Sequence, residues 1–145
     1  AYLFFTISRF SYSLKQQAKN PKKIYGIDTG LITNLSMSFS KDRGRLLENL
    51  VFIHFKRLGK EIHYFRQKGE CDFIVSKNSE VEMAVQVCYD LNNDNFRREV
   101  NGLTEAVKEL GLSEGFIFTF NQKDELEKDG IRISLIPVWE WMNGG

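Results

Sequence analysis

Cys71-Asp72-Phe73-Ile74-Val75-Ser76-Lys77, then Asn78-Ser79-Glu80, then Val81-Glu82-Met83-Ala84-Val85-Gln86-Val87-Cys88-Tyr89 is the stretch that decides the fold. β-Branched and aromatic residues bounded by Asn and Ser predict a hairpin. Facing residues of an antiparallel pair keep a roughly constant sum of positions. Asp72 therefore falls opposite, or nearly opposite, Gln86, and the two side chains leave the same face. A carboxylate and a carboxamide among Phe, Ile and Val are costly to bury unless a metal, a basic side chain or a nucleic-acid phosphate satisfies them. The alternative is a strand end that reaches solvent, where neither needs a partner.

Outward from the hairpin on the N-terminal side, Glu61 to Arg66 alternates polar and apolar and predicts a strand, with Gln67 to Glu70 as the turn into the hairpin. Before it, Leu47, Leu50, Val51, His54, Phe55 and Leu58 recur at spacings of three and four, which predicts a helix over Arg43 to Leu58. Ser40 or Asp42 is the expected N-cap and Gly59 the stop. Glu48 shares a side with Val51, Phe52 and Phe55, at the margin of the buried face, where it either serves a site or reaches water along its own stem. At the chain's start, Tyr2 to Ile7 and Lys22 to Ile27 predict an antiparallel ribbon joined by a polar link over 8–21. Asp28 or Thr29 then caps a short helix toward Leu35, and Ser36 to Lys41 reads as a loop.

On the C-terminal side, Asp90 to Asn95 is a polar loop ending in a cap, and Phe96, Val100, Leu103, Val107 and Leu110 form a helical stripe stopped by Gly111. Gly115 to Phe120 has the composition of a buried strand, Asn121 to Gly130 reads as a charged loop, Ile131 to Val138 as a last strand, and Trp139 to Met142 as a short helix or tail. Helix, three strands, helix, strand, strand is the order of an α/β domain. A meander followed by a crossover helix requires a parallel partner, hence a mixed central sheet flanked by helices.

The chain has 145 residues, one domain's worth. Its 20 Lys and Arg against 19 Asp and Glu exclude binding of DNA or membrane through bulk charge, so any basic surface is local. The expected register sends Cys71 and Cys88 to opposite faces and argues against a disulfide. Neither a CxxC spacing nor a Cys/His cluster suggests zinc, and His54 and His63 are too scattered to form a site. No apolar run reaches membrane-spanning length and no signal-peptide pattern opens the chain, so a soluble, cytoplasmic protein is expected. A first residue of Ala and an abrupt strand-like opening lead us to expect a piece of something longer.

The acid on the first helix (Glu48), the acid early in the second strand (Asp72) and the polar position in the third (Gln86-Val87-Cys88) resemble the PD-(D/E)XK, restriction-endonuclease-like fold. The phrases Asn20-Pro21-Lys22-Lys23-Ile24-Tyr25, Ile27-Asp28-Thr29-Gly30-Leu31, Gly44-Arg45-Leu46-Leu47-Glu48-Asn49 and Glu70-Cys71-Asp72-Phe73-Ile74 are similar to the C-terminal domain, of unknown function, of a prokaryotic AAA-type ATPase family. The resemblance covers nearly the whole chain. It implies that a P-loop ATPase module and a winged helix precede the nuclease-like domain. ATP would then belong to that missing N-terminal module, since this chain has no GxxxxGK[ST]. It also implies that residues 1–35 are the remaining wing and linker and that 36–145 form the nuclease-like domain.

A working nuclease of this fold holds Mg²⁺ on its carboxylates and uses a lysine two residues beyond the second strand carboxylate. Here Glu48 matches the helix acid and Asp72 the strand acid, but Gln86 replaces the second strand carboxylate and Cys88 the lysine. Glu48, Asp72 and Gln86 are the candidate Mg²⁺ ligands, and Lys68 or Arg66 the candidate substitute for the lysine. Three functions remain open. The favoured one is a recognition or interaction arm of an ATPase with a degenerate nuclease site, binding DNA or a partner protein. The others are an active Mg²⁺-dependent endonuclease and a purely structural module.

Overall fold

A computed structural model of the chain describes residues 4–26 and 40–144. The short helix expected after Asp28 or Thr29 lies outside them. The elements are β1 (Phe4–Ser8), α1 (Leu14–Lys19), β2 (Lys22–Gly26), α2 (Ser40–Arg57), β3 (Glu61–Arg66), β4 (Glu70–Lys77), β5 (Glu80–Val87), α3 (Phe96–Glu109), β6 (Glu114–Thr119), β7 (Asp124–Lys128), β8 (Ile131–Pro137) and α4 (Val138–Met142). Six strands form one mixed sheet in the order β3-β4-β5-β6-β8-β7. β3, β4 and β5 are the expected antiparallel meander, and α3 carries the chain across to β6, which pairs parallel to β5 and to β8.

The central hairpin closes on Lys77 paired with Glu80, with Asn78 and Ser79 at φ +52° and +63°. Two successive positive φ values make the type I′ turn, whose twist matches that of the flanking strands. Both helix stops are glycines in the left-handed region, Gly59 after α2 and Gly111 after α3, as their positions predict. α2 begins at Ser40, before the expected Arg43, and Leu58 is exposed rather than part of the buried stripe.

Two corrections follow from backbone events that a plain alternation does not contain. Phe65 pairs with Cys71 and His63 with Ile74, so Tyr64 faces both Asp72 and Phe73 and β4 carries a bulge there. The extra residue flips the pleat. Cys71 consequently joins Cys88 in the apolar cluster beneath α3, instead of lying on the opposite face, and both thiols are free. The second correction is β7. Residues expected as a charged loop form an edge strand paired antiparallel with β8, closed by Asp129 and Gly130 at φ +52° and +77°.

Each sheet face has its own core. Leu47, Val51, Phe52 and Phe55 of α2 pack with Phe73, Val85 and Phe118 on one face, where Trp141 of α4 adds its ring against Phe55 and Phe118. Val100, Leu103, Ala106 and Val107 of α3 pack with Ile74, Ile117 and Ile133 on the other. The β1/β2 ribbon is part of the first core, because Ile7 and Tyr25 are buried in it. Asn49 of α2 fastens the ribbon by pairing with both main-chain groups of Gly26, at 2.9 and 2.8 Å. The link between the ribbon strands, read as polar coil, contains α1, capped by the Ser13 hydroxyl. Along the outer edge, Arg9 bridges Tyr64 and the Phe10 amide donates to the Tyr64 carbonyl, covering backbone groups that an edge strand otherwise leaves open. Among the described residues, no helix is long and apolar enough to cross a membrane.

Candidate functional site

The bulge that displaces Cys71 also decides where Asp72 points. Its main-chain amide donates to Gln86 Oε1 at 2.8 Å, and its own Oδ2 accepts from the Val87 amide at 2.8 Å. Gln86 Nε2 donates to the carbonyls of Glu70 (2.7 Å) and Glu99 (3.2 Å). Two side chains thus complete the hydrogen bonding at the open end of the β4/β5 pair, and Gln86 ties that end to the first turn of α3. Asp72 and Gln86 are neighbours across the strands as expected, but their side chains do not pair with each other: each bonds main-chain groups, and Asp72 Oδ1 also faces Lys23.

Above this end lies a cleft of about 390 Å³ whose lining includes Glu48, Glu70, Asp72 and Glu99 among the acids and Lys23, Arg45 and Arg98 among the bases. Glu48 arrives from α2 and Asp72 from β4, so the two sequence-predicted acids share one cavity. Glu48 accepts a 2.5 Å hydrogen bond from the Tyr25 hydroxyl. Lys23, two residues earlier on β2 and projecting to the same side, places its ammonium 2.5 Å from Glu70 Oε1 and 3.7 Å from Asp72 Oδ1, with the Tyr64 ring 5.1 Å away.

The electrostatics follow from three carboxylates gathered around one ammonium. Burial and then the Glu48 charge push the Asp72 carboxyl well above its ordinary range, outweighing Lys23 and the Val87 amide, which pull it down. Burial works against the charged form of Lys23, but Asp72, Glu70 and Glu48 together outweigh it and its pKa is raised. Burial and the Glu48 charge likewise keep the Tyr25 phenol protonated. Every one of these shifts retains protons, which is the response of a partly enclosed site with surplus negative charge.

Other residues singled out by sequence lie elsewhere. Lys68 is exposed at the β3–β4 turn and lines a separate groove beside α3, and Arg66 lines a third depression near α1. Neither lines the acidic cleft. Cys88 sits in the apolar cluster under α3, its sulfur 3.5 Å from Asn95 Nδ2, and burial pushes its thiol up to about 11. The cation on Glu70 and Asp72 is Lys23, which the sequence reading placed in the wing of residues 1–35. Glu70, Glu99 and Tyr25 were missed with it. The one local signal was the phrase Lys22-Lys23-Ile24-Tyr25, where Lys23 and Tyr25 share a strand face.

A divalent cation does not fit this arrangement as it stands. Gln86 has spent its carboxamide oxygen on Asp72, Asp72 Oδ2 is held by Val87, and Glu48 holds Tyr25. Among the described residues, no group of three or more His, Cys, Asp or Glu side chains converges as a metal site requires. The arrangement can hold one ammonium and retain a proton.

No protein-family model matches the chain. The uncharacterized protein MJ1544 of Methanocaldococcus jannaschii is 37% identical over 153 residues, an alignment that takes in 97% of this chain and 33% of that protein. The chain therefore spans about a third of the length of the curated relative it matches.

Proposed function

We propose that this chain is the recognition arm of a larger ATPase, a nuclease-like domain of PD-(D/E)XK type whose hydrolytic site has become a charge cluster closed on Lys23, and that it binds nucleic acid without cutting it. The observation that carries this reading is Lys23. Its ammonium lies on Glu70 and Asp72, with Glu48 close enough to raise its pKa, on the side of the sheet where a hydrolytic relative would gather Mg²⁺. The carboxamide of Gln86 supports the same reading, because it serves as a main-chain clamp instead of a metal ligand. The two thirds of the archaeal relative outside the match leave room for a P-loop module and a winged helix.

The test is incubation of the chain with supercoiled plasmid and Mg²⁺ or Mn²⁺, alongside a gel-shift measurement on the same DNA. The expected result is retarded but uncut plasmid. Metal-dependent nicking that disappears in Asp72→Ala would replace this reading with that of an active endonuclease in which Lys23 supplies the missing lysine. Neither binding nor cleavage would leave a structural module.

A further inference from the structure

Beside α3, and meeting the acidic cleft at Arg98, runs an open groove of about 910 Å³. Five of its lining side chains are cationic (Lys68, Arg97, Arg98, Lys108 and Lys128) and three are acidic, in a chain whose overall charge is only +1. One of those acids is turned to a structural task. Glu105 accepts from the amides of Lys68 at 3.2 Å and Gly69 at 2.6 Å, binding the β3–β4 turn to the helix. Lys68, Arg97 and Lys128 form no ion pair among the described residues.

The groove is also held in shape. A Cβ on Gly102 would meet the Glu70 carbonyl at 2.1 Å, and one on Gly69 would meet Gly102 Cα at 2.8 Å, so turn and helix touch backbone to backbone. That close approach and the Glu105 bonds fix the backbone of Lys68 at the groove, and Lys128, at the β7–β8 turn, lines it as well. Between Arg97 and Lys108 the helix rises about 16 Å, equal to about five base-pair steps at 3.4 Å each.

The chemistry of the walls selects the occupant. No aliphatic or aromatic residue lines the groove, its apolar surface belonging to glycines and to the stems of its polar side chains, and a docked peptide depends on apolar or aromatic anchors seated in pockets. A phosphate backbone needs only spaced cations and polar groups. We infer that the groove carries the sugar–phosphate backbone of a nucleic-acid duplex, without regard to sequence. This rests on the reading of the domain as a nucleic-acid binder.

The experiment is fluorescence anisotropy with a short labelled duplex at several salt concentrations, comparing the wild-type chain, the double variant Arg97→Glu/Lys128→Glu, and Lys77→Glu at the far turn of the β4/β5 hairpin. A thermal melt of each protein checks folding, and Arg97→Ala/Lys128→Ala provides a milder second variant. The double charge reversal should weaken binding about tenfold or more and reduce the slope of log affinity against log salt by about 0.9 for each phosphate the protein no longer neutralises. Lys77→Glu should change neither. Equal binding by wild type and both double variants would overturn the groove while leaving the nucleic-acid reading intact. No duplex binding by the wild type would overturn both. Binding of polyglutamate, lost in the charge reversal, without duplex binding would reassign the groove to an acidic protein.

Discussion

The ring of Tyr25 lies 4.4 Å from that of Phe52 and nearly parallel to it, at 16°, while its hydroxyl donates to Glu48 on the same helix. One residue of the N-terminal ribbon thereby fills the core and holds an acid of the cleft. The two roles separate by substitution. Tyr25→Phe keeps the stacking and should cost about 1.5–3 kcal/mol, the worth of a hydrogen bond to a charged group. Tyr25→Ala also opens a cavity and should cost about 3–5 kcal/mol. Urea denaturation measures both, and equal losses for the two variants would show that the ring packing contributes nothing.

Asp72 should give the protein an inverted pH response at this site. Because its folded carboxyl titrates above the ordinary value, the native state binds its proton more tightly than the unfolded chain does. The stability this contributes is fully present below about pH 4, the unfolded carboxyl range, and is lost as pH rises through the folded pKa. Asp72→Asn removes the proton. Relative to wild type, the variant should therefore gain stability as pH is raised from about 4 toward neutrality. A stability difference that stays constant over that window, or moves the other way, would contradict the assignment.

Restoring the residues of a working nuclease should damage the fold. In Gln86→Glu two carbonyls, those of Glu70 and Glu99, lose their donor and face a carboxylate, at an expected cost of about 1–3 kcal/mol. Cys88→Lys forces an ammonium into an apolar cluster where the native thiol is 7% exposed, and should cost more. Denaturation midpoints of the single variants measure both, and an undiminished midpoint for Gln86→Glu would mean that the amide clamp is dispensable.

Two glycines on the helices beside the cleft should respond in opposite senses. Gly102→Ala drives a methyl into the Glu70 carbonyl and should destabilise the chain and loosen the turn that carries Lys68. Gly44→Ala, in α2, meets nothing within 4 Å and should stabilise by about 0.5–1 kcal/mol through helix propensity. Thermal melting of the pair checks the contrast.

Much of the architecture was legible because it is written in local periodicity. The α2 and α3 stripes and their glycine stops depend on neighbours in sequence, whereas the β4/β5 register shifts by one residue between Val75 and Ser76, so no constant sum runs from the turn to Asp72. β7 was not legible, since Asp124-Glu125-Leu126-Glu127-Lys128 is an edge strand that buries little and so shows almost none of the apolar alternation by which strands are recognised. The shared face of Cys71 and Cys88 was hidden for a different reason: a bulge adds a residue without changing composition. Of the site, the convergence of Glu48 and Asp72 was anticipated, whereas the cation between the acids was sought among Arg66 and Lys68. Nearness along the chain pointed to those two, and only docking of the ribbon onto α2 brings Lys23 there.

The bulge in β4 gives the cleft a dependence on chain length as well as chemistry. Asp72 faces the cavity because Tyr64 is opposed by two residues instead of one. Deleting a single residue at that point would leave every other side chain of the cleft in the sequence, yet would turn the strand below it by half a pleat, carrying Cys71 out of the cluster under α3 and the carboxylate away from Lys23. The charge cluster is thus encoded in a count, and in a comparison of related chains a one-residue gap at position 73 would be a stronger sign of its loss than an Asp-to-Asn exchange at position 72.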